Sequence, residues 1–148
     1  MPQSLARILV HLVFSTKHRE PFIAKEIRGD LHGYMVGTLQ NLACPSIQTG
    51  GTADHVHVLF SLARTVTVAD VLEKLKTSSC AWMKDHGVRT FAWQAGYGAF
   101  SIGESQIAAV IRYIQRQEEH HRPLTFQEEF RSFLDRYNVT YDERYVWD

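Results

Sequence analysis

Hydrophobic and polar residues alternate in the stretch TADHVHVLFSL, residues 52–62. Because successive side chains of a strand point to opposite faces, Val56, Val58 and Phe60 share one face. His55 and His57 share the other. The apolar face is sufficient to anchor the strand to a core, so the pattern predicts a half-buried strand that carries two imidazoles on its second face.

The rest of the pattern predicts the element order β-α-β-β-α-β followed by two helices. The predicted strands cover residues 5–16, 45–51, 55–62 and about 98–102. The predicted helices cover residues 22–42, 67–86, 103 or 105 to 122, and 126–138. Thr67 is a candidate N-cap, and Thr125 with Glu128 forms a candidate capping box. Gly87 and Pro123 are expected to end the second and third helices.

This order matches the α+β class with a ferredoxin-like βαββαβ fold, in which a four-stranded antiparallel sheet carries helices on one face. The two C-terminal helices are additional. The second face is expected to be open to a partner, a ligand or nucleic acid. No repeat, linker or low-complexity segment divides the chain, so residues 1–148 are expected to form a single domain.

Composition narrows the class of protein. Sixteen basic and sixteen acidic residues give a formal net charge of zero, which argues against a protein that coats nucleic acid through global charge. No apolar run approaches the about 20 residues of a membrane helix, and the N-terminus lacks a secretory pattern. A cytoplasmic protein with no membrane partner is therefore expected. Cys44 and Cys80 lack metal-type spacing and are expected to be reduced and structural.

Two pairs of residues are candidates for chemistry. His55 and His57 could bring two neutral imidazoles to one metal ion, although strand histidines are more often structural or surface residues. In the helix after the last strand, Tyr113 and Gln117 are stacked on the flank of an apolar stripe, and Arg112 and Arg116 fall on the solvent side. That stripe consists of Ile107, Val110, Ile111 and Ile114. A partly buried tyrosine with a solvated glutamine is the simpler interpretation of the flank pair.

The sequence HVHVLF, followed downstream by YIQRQ, resembles the single-tyrosine HUH transposases of the insertion-sequence 200/605 type. HUH denotes His, a hydrophobic residue and His, which here are His55, Val56 and His57. Three further segments carry the resemblance: HLVFSTKHREPF, WQAGYGAFSIGES and TFQEEFRSFLDRYNVTYDERYVWD. The resemblance extends over essentially the whole chain.

The resemblance implies a DNA transposase that cleaves and rejoins single-stranded DNA at hairpin-marked element ends. Tyr113 would be the nucleophile that forms a 5′-phosphotyrosine link, and His55, His57 and Gln117 would bind a divalent metal, Mg²⁺ or Mn²⁺. It also implies a homodimer in which the active site is completed between subunits.

Other residues are weaker candidates for DNA contacts. Lys17, His18 and Arg19 form a local basic patch after the first strand, and Arg112 and Arg116 could touch the DNA backbone. Each set is also compatible with simple solvation. Three aromatic residues could stack on unpaired bases or pack in the core: Trp93, Tyr97 and Phe100.

Three alternatives to a transposase remain open. A domesticated hairpin-binding protein would keep the fold without cleaving DNA. A replication-initiator-like nickase would share the chemistry without transposition. An RNA-recognition-like module would use aromatic residues on the open sheet face.

Overall fold

A computed structural model describes residues 2–117 and 124–148 of the chain. The strands within these ranges are β1 (Leu9–Ser15), β2 (Ser46–Gly51), β3 (His55–Ser61) and β4 (Gly98–Ile102). The α-helices are α1 (Lys25–Asn41), α2 (Val68–Asp85), α3 (Ile107–Gln115) and α4 (Phe126–Arg136). Single 3₁₀ turns at Lys17–Arg19 and Glu104–Gln106 follow β1 and precede α3.

The four strands form one sheet in the order β2-β3-β1-β4, and every neighbouring pair is antiparallel. Helices α1 and α2 each connect two strands that have a third strand between them. This is the split βαβ arrangement, so the predicted α+β class with a ferredoxin-like sheet is confirmed.

The helix boundaries follow the predicted capping residues. The Thr67 hydroxyl accepts a hydrogen bond from the Asp70 backbone N–H, and the Asp70 carboxylate accepts one from the Thr67 N–H. Gly87, with φ of 96°, follows the end of α2 in a conformation that favours glycine. Thr125 caps α4 by accepting from the Glu128 N–H. The predicted helix end at Pro123 lies outside the described residues.

One face of the sheet builds the larger core. Even-numbered side chains of the two central strands point into it, and α1 and α2 cover them. The strand residues concerned are Val10, Leu12, Phe14, Val56, Val58 and Phe60, all buried in one cluster with residues of both helices. The predicted orientation of β3 is therefore confirmed.

The expectation that the second face is open is wrong. Helices α3 and α4 pack on it, and His55 and His57 are 0% exposed. The physical reason is that both helices carry apolar stripes that must be buried, and this face is the surface on which they pack. Their contacts with the sheet form two clusters: Val13, Phe100, Phe126, Phe130, Phe133 and Leu134, and Leu9, Leu59, Ile102 and Ile114. An RNA-recognition-like module would need this face to be free.

The C-terminal segment packs on the same layer. The Trp147 ring lies 5.9 Å from the Phe130 ring, and the Gly96 N–H donates to the Asp148 carbonyl at 2.8 Å. The aromatic end of the chain thus docks on α4 and on the segment before β4. Across the described ranges, none of the helices is both long enough and apolar enough to span a bilayer.

Candidate metal and tyrosine centre

Strand β3 places His55 and His57 side by side beneath α3 and α4. Their ring centroids are 5.2 Å apart. The outer nitrogen of each ring is held by a neighbour. His55 Nδ1 lies 2.7 Å from Asp54 Oδ1 and 3.0 Å from Thr52 Oγ1, and His57 Nδ1 lies 2.9 Å from His11 Nε2. Such contacts fix the tautomer and direct both Nε2 atoms towards the space under the helices.

Glu129 of α4 completes this cluster. Its side chain is 2% exposed, and Oε1 lies 2.9 Å from His57 Nε2 and 3.5 Å from His55 Nε2. One ligand atom from each of the three residues lies within 4.8 Å of the other two. The group is therefore a compact set of two imidazoles and one carboxylate.

Sequence reasoning missed Glu129, although a signal was present. The buried face of α4 carries Phe126, Phe130 and Phe133, and Glu129 falls between them at helical spacing. A carboxylate on an apolar stripe is seldom buried without a partner or a metal. Its position in the stripe could have indicated a site.

Helix α3 and the residues that follow it bring Tyr113 and Gln117 to the same cluster. The Tyr113 hydroxyl donates a short hydrogen bond to Glu129 Oε2. The Gln117 amide donates to Glu129 Oε2 at 3.3 Å, while its Oε1 lies 3.0 Å from His55 Nε2. Gln117 is buried, so the simpler interpretation of a solvated glutamine is wrong. All four predicted site residues meet within one chain.

The donor set fits a cation. If neutral His55 donates from Nδ1 to Asp54, its Nε2 carries a lone pair, yet that atom faces Gln117 Oε1 and Glu129 Oε1. Lone pairs that converge in a buried space repel each other unless a proton or a metal ion lies between them. Imidazole and carboxylate ligands together suit first-row divalent ions such as Mn²⁺.

The environment keeps Tyr113 and His11 neutral. Burial raises the pKa of Tyr113 well above its usual value, and the negative charge of Glu129 raises it further. Burial lowers the pKa of His11 to about 3, with a further contribution from His57. A neutral His11 can accept a hydrogen bond from His57 and so hold that ring in position.

A cavity of about 240 Å³ opens beside Tyr113 on the side away from Gln117. Its lining includes His11, Val110 and Tyr113, and the Arg136 side chain also contributes. Tyr113 therefore borders open space as well as the buried cluster.

The weaker candidates lie outside the buried cluster. Arg112 and Arg116 are exposed, as the helical pattern predicts. Lys17 and His18 are exposed on the turn after β1 and line a separate cavity with Trp147 and Asp148. Their contribution to DNA binding, like that of Arg19, stays a prediction.

The three aromatic candidates have different environments. Trp93 is buried and donates its indole N–H to Ser79 at 2.9 Å. Phe100 is buried against Phe133. Both therefore belong to the cores. Tyr97 is exposed.

Solved structures share this fold. A transposase candidate from Deinococcus radiodurans R1 aligns with a TM-score of 0.64 at 19% identity, over 79% of this chain and 98% of that one. A REP-associated tyrosine transposase bound to a REP hairpin aligns with a TM-score of 0.60 at 10% identity, over 82% of this chain and 73% of that one. At these identities the likeness shows the fold alone.

Comparison of the sequence itself identifies the family. No curated protein matches the chain significantly. The profile of the family described as "Transposase IS200 like" matches residues 4–117, which includes His55, His57, Tyr113 and Gln117. The chain belongs to the IS200-like transposase family.

Proposed function

We propose that the protein cleaves and rejoins single-stranded DNA at hairpin-marked ends, with Tyr113 as the nucleophile. One observation carries this proposal. The Tyr113 hydroxyl is hydrogen-bonded to the carboxylate that completes a buried His-His-Glu cluster. A nucleophile next to a metal-type cluster is the arrangement that phosphodiester transfer requires.

His55, His57 and Glu129 would hold the metal, with the Gln117 carbonyl oxygen as a further ligand. A divalent cation there, Mn²⁺ or Mg²⁺, supplies a Lewis acid that polarises and orients the scissile phosphate. The neutral ligands His55, His57 and Gln117 would leave the charge of the cation unchanged. The Glu129 carboxylate would reduce the net charge of the site by one. Asp54 and His11 would keep the two imidazoles aimed at the cation.

Tyr113 would then form the covalent bond. Its oxygen attacks phosphorus, the P–O3′ bond breaks, and a 5′-phosphotyrosine link and a free DNA 3′-hydroxyl result. The phenolic proton is transferred in net terms to that hydroxyl. Burial and the Glu129 charge raise the pKa of Tyr113, so its hydroxyl is protonated in the chain without a cation. Since the ester is conserved, a second 3′-hydroxyl can reverse the step and join a new end.

Membership of the IS200-like transposase family supports a proposal for the substrate and the cellular setting. A structural neighbour is bound to a REP hairpin, and we propose hairpin DNA as the partner here. We propose that residues 1–148 act as one domain in the cytoplasm. Lys17, His18, Arg19, Arg112 and Arg116 would contribute contacts to the DNA backbone.

We also propose a homodimer, with the site completed between subunits. In the structure of the single chain, Tyr113 lies close to the histidines of the same chain. In the proposed dimer, α3 would be exchanged, so that Tyr113 of each subunit serves the histidines of the other. Mixing Tyr113→Phe with His57→Ala protein distinguishes the two arrangements. Cleavage is restored in the mixture if the site is shared between subunits, and it stays absent if each chain uses its own Tyr113.

The proposal is tested by a covalent-adduct assay. The protein is incubated with single-stranded hairpin oligonucleotides and Mn²⁺ or Mg²⁺, and the products are separated on a denaturing gel. A slower-migrating adduct is expected, and it should disappear with Tyr113→Phe, His57→Ala or EDTA. Hairpin binding without any adduct would favour a domesticated binding protein. An adduct without transfer to a second 3′-hydroxyl would favour a nickase.

A further inference from the structure

A groove at the β2 edge of the sheet borders the candidate centre at Gln117. It encloses about 510 Å³ between the first turns of α1, the end of β2 and the end of α3. Helix α1 approaches this edge from one side of the sheet and α3 from the other. Its described lining comprises Lys25, Arg28, Gly29, His32, residues 48–51 and residues 114–117.

The charged residues in the described lining of the groove are all basic, in a chain with no net charge. Lys25 and Arg28 lie on α1, and Arg116 follows α3 on the opposite wall. None of the described lining residues is acidic. The side chains of Lys25 and Arg116 are exposed, so their charges can reach a ligand in the groove. A local concentration of cations is the signature of a phosphate site.

His32 adds a neutral hydrogen-bonding group to the wall. Its Nε2 atom is buried and has no hydrogen-bond partner among the residues that the structure describes. Burial lowers the pKa of His32 to about 4, and the Arg28 charge lowers it further. Buried polar atoms are normally bonded, so a residue of the groove wall carries an unsatisfied ring nitrogen.

Glycine backbone forms the floor. A Cβ atom on Gly50 would lie 2.9 Å from Ile114 Cγ2, and one on Gly51 would lie 2.2 Å from the His55 carbonyl oxygen. Neither position has room for a side chain, and both glycines line the groove with main-chain atoms alone. A close approach of a ligand to backbone is one of the uses of glycine in proteins.

Gln117 connects the groove to the centre. It lines the groove, and its Oε1 lies 3.0 Å from His55 Nε2. A strand whose phosphates lie in the groove is therefore separated from His55 by one side chain, that of Gln117.

We propose that this groove holds the backbone phosphates of the single-stranded DNA next to the scissile phosphate. The inference rests on the proposed function, because it assumes DNA as the substrate. It assigns to Lys25, Arg28, His32 and Arg116 the task of guiding a flexible strand into the site, separately from any recognition of the hairpin.

The test measures binding without chemistry. All proteins carry Tyr113→Phe, EDTA is present, and fluorescence anisotropy compares a labelled hairpin that has a single-stranded tail with the same hairpin without a tail. The Lys25→Gln/Arg116→Gln double variant removes two groove cations. The Lys84→Gln/Arg89→Gln double variant removes two exposed cations elsewhere and serves as the control.

The groove variant is expected to bind the tailed hairpin about tenfold more weakly and the untailed hairpin as before. The slope of log Kobs against log salt should fall by about 1.4 in magnitude, about 0.7 for each phosphate that the protein no longer neutralises. The control should change neither quantity beyond experimental error. Equal effects in the two double variants, or a wild-type groove that gives no preference for the tailed hairpin, would overturn the proposal.

A steric variant tests the same groove without a change of charge. Gly29 lines the groove, and a Cβ atom on it would meet nothing within 4 Å, as is also true of Gly33 one turn later on α1. Gly29→Trp should reduce binding of the tailed hairpin, whereas Gly33→Trp should not. Neither binding assay involves cleavage. If Tyr113 formed no adduct with DNA, the proposed function would be overturned, but the binding results would still test the groove. Equal binding by both tryptophan variants would contradict the groove assignment.

Discussion

The two faces of the sheet share β3 but differ in what they bury. On one face, Val56, Val58 and Phe60 pack against aliphatic and aromatic side chains of α1 and α2. On the other, His55 and His57 are equally buried but are bonded to polar groups from β1, α4 and the β2–β3 turn. Burial of apolar groups stabilises a fold, whereas burial of polar groups costs free energy unless each is bonded. The comparison separates a face on which β3 is bound through apolar packing alone from one on which apolar clusters surround a polar candidate centre.

The first prediction contrasts one residue from each face. Phe60→Ala is expected to lower the free energy of unfolding by about 3–5 kcal/mol, because it leaves a cavity in a packed core. His57→Ala removes two hydrogen bonds and is expected to cost about 1–3 kcal/mol, but to abolish DNA cleavage. Urea denaturation measures both stabilities.

The distinction between the two faces would be contradicted if the DNA cleavage activity of each variant were simply proportional to its folded fraction. An equal loss of stability in the two variants would also show that the second face contributes to the fold as strongly as the first.

The second prediction concerns Glu129, the polar residue that the histidines and Tyr113 share. Glu129→Gln should weaken Mn²⁺ binding, measured by calorimetry, by more than the about 10–100-fold that outer partners of a metal contribute. It should also lower the pKa of Tyr113, since the carboxylate charge raises that pKa. Ultraviolet difference titration against Tyr113→Phe reads out this tyrosine. Glu128→Gln, a change at the exposed neighbour, is the matched control. Similar changes in Mn²⁺ affinity and tyrosine titration in both variants would show that Glu129 is not part of the metal site.

The third prediction concerns His11, which supports His57 from β1. His11→Leu fills the space of the imidazole with an apolar side chain but removes the hydrogen-bond acceptor for His57 Nδ1. Mn²⁺ affinity is expected to fall about tenfold, as for other partners behind metal ligands. His86→Leu, at an exposed imidazole stacked on Trp82, controls for the change of residue type. Unchanged affinity in His11→Leu would show that His57 is oriented by other contacts.

The fourth prediction concerns pH and the buried imidazole of α1. The folded pKa of His32, about 4, lies below its usual value of 6.5. As pH falls, His32 therefore binds a proton in the unfolded chain before it does so in the folded one. Proton binding stabilises the unfolded chain, so the free energy of unfolding decreases below about pH 6.5. Between pH 7 and pH 5 the loss is at most about 2 kcal/mol. Denaturation of His32→Gln should show a smaller loss over this range, and an identical loss would contradict the assignment.

Patterns local in sequence predicted most of the fold. The alternation in β3, the cap at Thr67 and the stripe of α3 each depend on residues within one element, and each is present in the structure. The prediction of an open second face was wrong because the exposure of that face depends on how α3 and α4 pack on strands distant in sequence. Glu129 was missed for the same reason, since it meets His57 across 72 residues of sequence. Tyr113 and Gln117 were assigned to the candidate site through family resemblance, because a flank position alone does not distinguish a site from a partly buried surface.

The central claim is that Tyr113, among the six tyrosines of the chain, becomes linked to DNA. The most direct measurement is mass spectrometry of the trypsin-digested adduct after nuclease treatment. Cleavage after Arg112 and Arg116 releases Tyr113 on a short peptide of its own, residues 113–116. A nucleotide phosphate on that peptide is the predicted result. The same mass increment on a peptide that contains any other tyrosine, with residues 113–116 unmodified, would contradict the account.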